Sequence, residues 1–146
     1  MPEWFSSHDA VDYQLALYLA AQGVVRDPNV DQTTLGVLPA VYVGELHDEP
    51  DYAIALTVVG EVRDDDANPQ VDVLLAMRSG PEDRQQLYDL SEKVFQALHD
   101  RTRLELTANQ GIALCRRTLK GPVVQDQNRR WLRVDTYRLR MLVPNP

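Results

Sequence analysis

Hydrophobic positions change their spacing along the chain, and each change marks an element. Val11, Leu15, Tyr18 and Leu19 recur at helical intervals. Ser6 or Ser7 suits the start and Gly23 suits the left-handed residue past the end, so the spacing predicts a helix over residues 7–22. "VVRDPNVDQTTLG" follows, where Pro28 and Asn29 indicate a loop. The period then drops to two. "LPAVYVGEL" is a short β-prone run that stops at the turn "HDEPD", and "DYAIALTVVGEVR" places Tyr52, Ile54, Leu56, Val58 and Val62 on one strand face. After "DDDANP", "QVDVLLAMR" supplies a partner strand, and together they predict an antiparallel hairpin.

"SGPEDRQQLYDLSEKVFQALHD" returns to helical spacing, with Leu87, Leu90, Val94, Ala97 and Leu98 as its buried stripe. Ser79 and Glu82 have the spacing of a capping box, Pro81 is tolerated in a first turn, and Arg101 and Arg103 fall at or past the C-terminal end. Two further strands are expected over residues 111–119 and 129–143, joined by the loop "KGPVVQDQN". The order α-β-β-β-α-β-β implies an α+β fold: one domain over residues 1–146, with a mainly antiparallel sheet packed by two helices.

Charge sharpens this picture. The chain carries a formal net charge of -7, but unevenly: 7 basic and 20 acidic residues run through Leu106, then 8 basic and 2 acidic. Such asymmetry marks an interaction surface without naming the partner, and a pI near 4.8 argues against nucleic acid as the main one. A single Cys115 fits a reducing cytoplasm, and no apolar run approaches membrane-spanning length.

Catalytic patterns do not emerge. His8, His47 and His99 lie in separate segments without metal spacing and read as solvated surface groups, and Cys115 on a predicted strand reads as a structural thiol. Asp64, Asp65 and Asp66 form the main carboxylate cluster, yet they lack the alternate acidic positions, central Gly and distal Glu of a calcium loop. A charged hairpin tip is the plainer reading, and "HDEPD" is read the same way. No metal, cofactor or enzymatic activity is expected.

The basic C-terminal segment carries more information. As a strand, it puts Arg129, Trp131, Arg133, Asp135, Tyr137, Leu139 and Met141 on one face. Arg130, Leu132, Val134, Thr136, Arg138 and Arg140 lie on the other. Apolar residues change sides near Asp135, which calls for a bulge there or for cover on both faces. The arginines form no single stripe to track a phosphate backbone. Their planar forks suit carboxylates, and the body of the chain is acidic, so Arg129, Arg130, Arg133, Arg138 and Arg140 are candidates for salt bridges between copies in a head-to-tail contact. Hairpin tips and loops reach furthest from a sheet. Asp64, Asp65 and Asp66, with Gly121, Pro122, Gln125, Asp126 and Asn128, are therefore candidates for projecting contacts with partners.

The layout resembles small phage proteins of the minor capsid or tail-completion class. It does so through a strand like "YAIALTVVG", the unit "QVDVLLAMRSG" leading into "DLSEKVFQALHD", and the closing "GPVVQDQNRRW" and "LRVDTYRLRM". The likeness runs over residues 38–141, with a longer "VVRDPNVDQTTLG" and a more acidic "RDDDANP" than such proteins show. The resemblance implies a non-catalytic tail terminator of a long-tailed phage, assembled in the bacterial cytoplasm and carried in the virion. Such a protein forms a homo-hexameric ring, meets the tail tube protein and the head-tail connector or stopper, and lets DNA pass through its lumen. Another neck protein, such as a head-completion or stopper protein, remains an alternative, as does a nucleic-acid-binding module that uses Trp131 and the arginines.

Overall fold

The protein is described by a computed structural model over residues 8–33, 36–62, 70–107 and 110–142. Its elements are α1 His8–Ala21, β1 Ala40–Val43, β2 Ala53–Val62, β3 Gln70–Ser79, α2 Arg84–Leu98, β4 Arg101–Thr107, β5 Gln110–Leu119, β6 Val124–Gln125 and β7 Trp131–Leu142. The strands make one seven-stranded sheet in the order β1-β2-β3-β7-β5-β4, with β6 also on β7. Only β1 and β2 run parallel. The α+β class and the element order stand as expected, with β4 and β6 added.

β4 occupies a stretch for which the sequence suggests no element, Arg101 and Arg103 being read only as lying at or past the end of the second helix. Its residues alternate, with Thr102, Leu104 and Leu106 between Arg101, Arg103 and Glu105. Asp100, at a φ of 56°, turns the chain out of α2 into the strand with no intervening loop. β6 is only two residues long, too short for any periodicity to show.

Both helices cover the same face of the sheet. Val11, Leu15 and Leu19 of α1 join Leu87, Leu90, Val94 and Leu98 of α2 over Ile54, Leu56, Leu75, Met77, Tyr137 and Leu139. Each fully buried Leu contributes about 2 kcal/mol relative to exposure. The Tyr18 hydroxyl donates to the Ala97 carbonyl at 3.0 Å and ties the helices together. α1 ends as its sequence foretells: Gly23, at a φ of 76°, lets Val24 N–H reach the Leu19 carbonyl and Gly23 N–H reach that of Ala20. The expected Ser6 or Ser7 cap lies outside the described residues.

α2 begins later than predicted, and the proposed capping box does not form. Asp83 is the N-cap, its carboxylate accepting from Gln86 N–H at 3.0 Å. Ser79 is instead the last residue of β3, fully buried, and its hydroxyl has no hydrogen-bond partner among the described residues. A strand that ends immediately before a helix competes for the same serine, and pairing with Trp131 wins.

The opposite, outer face is covered only in part. Parallel strands need a crossover, so after β1 the chain returns over this face through residues 44–52. There Tyr42, Leu46, Ala53, Ala55 and Ala76 form a second small cluster. The predicted β2–β3 hairpin is present, with a bulge between Val58 and Gly60 that interrupts the alternation read for β2.

Of the two expectations for the change of apolar side near Asp135, cover on both faces fits: the helices lie on one face, and Leu132 and Val134 are half-buried on the partly covered other face. Pairing with β3 runs unbroken from Gln70↔Arg140 to Ser79↔Trp131, so no bulge falls in β7. The irregularity lies in its neighbour β5, between Arg117 and Leu119. Arg133 and Asp135 stay on the helix-covered face and are buried there as an ion pair.

Candidate functional site

Two groups of arginines and carboxylates fix the loops of the sheet. On the helix-covered side, Asp135 is fully buried and accepts from Gly121 N–H at 2.9 Å and from the Ser91 hydroxyl at 3.2 Å. Arg133 donates to the Gly121 carbonyl at 2.8 Å, and Arg117 stands 3.8 Å from the same carboxylate. Burial of a charge is tolerated only with such pairing. Gly121 is thus held from both ends against β7. A Cβ there would sit 2.1 Å from the Val134 carbonyl oxygen, a distance only glycine avoids.

On the outer side the loop of residues 44–52 is clamped. The buried guanidinium of Arg78 donates to the carbonyls of Asp51 at 3.0 Å, His47 at 2.6 Å and Pro50 at 2.8 Å. Burial, reinforced by the adjacent Arg130 charge, lowers the Arg78 pKa from its ordinary value. Arg130 donates to the Asp126 carboxylate at 2.8 Å and to the Asp48 carbonyl at 2.7 Å, and lies 3.6 Å from Asp51. Burial works against the Arg130 charge, but the Asp126 hydrogen bond and the neighbouring carboxylates outweigh it and raise its pKa. Tyr42 completes the clamp: its hydroxyl donates to the Glu49 carbonyl at 2.7 Å and its ring stacks on His47 at 4.0 Å. The turn "HDEPD" is therefore a built element, with Asp48 and Glu49 left exposed on it and Glu45 exposed just before it.

Asp126 organises the β6–β7 turn. It accepts from the Asn128 and Arg130 backbone N–H groups at 2.8 and 2.9 Å. Gln125 reaches the Arg129 carbonyl, and Arg129 takes a φ of 66° at the exposed tip. Pro122 is exposed beside the buried Gly121. Asp64, Asp65 and Asp66 lie outside the described residues.

The five candidate arginines thus part company. Arg130 and Arg133 spend their guanidinium groups on their own chain, and Arg138 pairs across the strands with Asp72 at 3.0 Å. Arg129 and Arg140 are exposed, and among the described residues neither has a carboxylate partner. Arg140 and Arg138 share the uncovered part of the outer face with Arg116, Leu114, Thr118 and Gln70, which line a shallow groove of about 190 Å³. Arg116 and Arg78 were missed in the sequence. Each showed as one cation in a strand, and only the register brings Arg116 opposite Arg138.

The turns fall at two poles. Residues 44–52, 80–83 and 126–129 gather where Ser79 faces Trp131. β2 ends and β3 begins at the other pole, where Gln70 faces Arg140. The ten residues of β3 separate the poles by about 30 Å.

The groups considered for chemistry occupy structural places. Cys115 is fully buried, and burial pushes its thiol up to about 12. His99 is half-buried rather than solvated: it stacks on Phe95 at 4.3 Å and its Nδ1 accepts from Arg117 N–H at 3.1 Å. Among the described residues no three His, Cys, Asp or Glu side chains gather closely enough to hold a metal ion. No helix there is long and apolar enough to cross a membrane.

The sequence matches the model of a family described as bacteriophage tail terminator protein over residues 18–142. No curated protein matches it. Among solved structures, a chain in the virion of a native gene transfer agent particle has the same fold, with a TM-score of 0.59 at 17% identity. The alignment covers 94% of this chain and 99% of that one.

Proposed function

We infer the role of this chain from its membership: it belongs to the bacteriophage tail terminator protein family. It is a structural protein of the tail. Its specific role is to form a ring of identical subunits, six in number by the family resemblance, on the last ring of the tail tube. There it stops tube polymerisation and offers its free side to the head-tail connector. It performs no catalysis, and it assembles in the host cytoplasm before becoming part of the virion neck.

The observation that carries this reading is the separation of the turns into two poles about 30 Å apart. A subunit that sits between two different rings needs two distinct contact sets held at a fixed spacing, and a continuous β3–β7 ladder supplies that spacing. Asp64, Asp65 and Asp66, which lie between β2 and β3 in the sequence, are proposed for one contact set. Gln125, Asp126, Asn128 and Arg129, at the β6–β7 turn, are proposed for the other. Net negative charge suits a ring whose lumen passes DNA, since like charge discourages phosphate adhesion.

Electron microscopy of tails assembled with and without the protein tests the role. Without it, tubes overgrow and fail to join heads. Normal, head-competent tails in its absence would refute the reading. Substituting one pole at a time (Asp64→Ala with Asp66→Ala, or Asn128→Ala with Arg129→Glu) is expected to alter length control in one case and head joining in the other.

A further inference from the structure

The outer sheet face carries a contradiction that one partner resolves. Arg116 and Arg138 are register partners on adjacent strands, and Arg140 is two residues along on the same face. Like charges set directly opposite each other weaken a sheet. Asp72 and Asp100 offset part of this from either side, through ion pairs with Arg138 and Arg116. Among the described residues nothing else covers this part of the face, and its groove lies open between the guanidinium groups.

The other half of the same face shows how the chain treats arginines there. Arg78 and Arg130 are covered by the acidic return loop, whose carbonyls and carboxylates take up their donors. That loop turns three further carboxylates outward, on Glu45, Asp48 and Glu49, and the Asp48 side chain is 83% exposed. The loop lies at one pole, towards the β1–β3 side of the sheet, and Arg116, Arg138 and Arg140 lie on β5 and β7 towards the other. One molecule therefore has an acidic and a basic patch at diagonal corners of one face. These are two different surfaces, as a head-to-tail contact requires.

We propose that the Arg116, Arg138 and Arg140 surface docks the Glu45, Asp48 and Glu49 loop of a second copy of this chain. The idea rests on the ring reading above, of which it names the two contacting patches. Carboxylates from the neighbour would pair with Arg140, add to Asp72 and Asp100 around the opposed arginines and cover the groove, as the chain's own loop covers Arg78 and Arg130. Charge complementarity decides between occupants: the chain has 22 acidic against 15 basic residues, so a second copy presents the sign this patch needs.

A charge exchange tests it on tails. Arg116→Glu with Arg140→Glu, or Glu45→Lys with Glu49→Lys, is expected to reduce capping at least tenfold, with melting and circular dichroism unchanged. Mixing the two variants, or combining all four changes in one chain, is expected to restore capping, a recovery that a merely destabilised fold would not give. In the Arg140→Lys variant, a zero-length carbodiimide reagent is expected to link position 140 to Glu45, Asp48 or Glu49 of another copy, as mapped by mass spectrometry. Full capping by both charge-reversed variants, or cross-links only elsewhere, would overturn the docking while leaving the terminator role intact. Normal tails without the protein would instead remove the role, and the cross-link would still report on the contact. Low-salt DNA retention abolished by Arg140→Glu would reassign the patch to phosphate and end the proposal.

Discussion

At the scale of single residues, position 121 is the most constrained. Gly121 lies where any side chain meets the Val134 carbonyl at 2.1 Å, while both its backbone groups are bound by Asp135 and Arg133. Gly121→Ala is expected to destabilise the fold by about 3 kcal/mol, at the upper end of overpacking costs. Gly60→Ala, with open space around the added carbon, is expected to change stability by less than about 0.5 kcal/mol. Urea unfolding of the two variants measures the contrast. Asp126 makes a second residue-scale prediction. Burial pushes its carboxyl up, but hydrogen bonds from the Arg130 backbone and side chain and from Asn128 outweigh it, and its pKa lies below the ordinary value. A depressed carboxyl binds its proton less readily folded than unfolded. Its contribution is thus complete above the ordinary carboxylate range and lost as pH falls through the folded value. Asp126→Asn is expected to lower stability at neutral pH and flatten the acid limb of a stability–pH curve. An unchanged acid limb would show that Asp126 has no such part.

At the scale of elements, the two halves of the sequence differed in legibility. α1 and the β2–β3 hairpin were readable because their signals are local: helical spacing, a terminal Gly23, and alternation on either side of an acidic turn. The same locality misled at Ser79, which matches a capping box in spacing but is held by the β3–β7 ladder. A direct comparison follows. Asp83→Ala is expected to cost about 1 kcal/mol as the loss of a cap. Ser79→Ala, which removes a buried hydroxyl with no partner, is expected to be neutral or slightly stabilising. Equal losses from the two, measured by thermal unfolding, would restore the capping box. The candidate assembly surfaces were only half legible. The basic character of β7 was plain, but which arginines are consumed internally depends on register and on a return loop read as solvent-exposed. Arg133 lies two residues from Asp135, but its partner Gly121 is 12 residues away and Asp72, the partner of Arg138, is 66 residues away, separations that no spacing rule ranks.

At the scale of the whole molecule, the uneven charge becomes largely internal. Arg130, Arg133 and Arg138 meet their own chain, so the basic C-terminal segment does not make a basic surface of matching size. The intact protein is therefore expected to pass through a DNA column at low salt. Retention with a steep salt dependence would instead signal a nucleic-acid-binding role. β7 lies between β3 and β5, so neither half of the described sheet is complete without it.

That central place of β7 also sets the timing of manufacture. Every other strand precedes β7 in the chain, yet β7 must enter between two of them. A nascent chain still waiting for residues 131–142 has β3 and β5 edges with nothing between them, and the buried seats of Tyr137 and Leu139 are empty. Folding of this sheet thus waits for residues 131–142, and its opposed poles come into register only then.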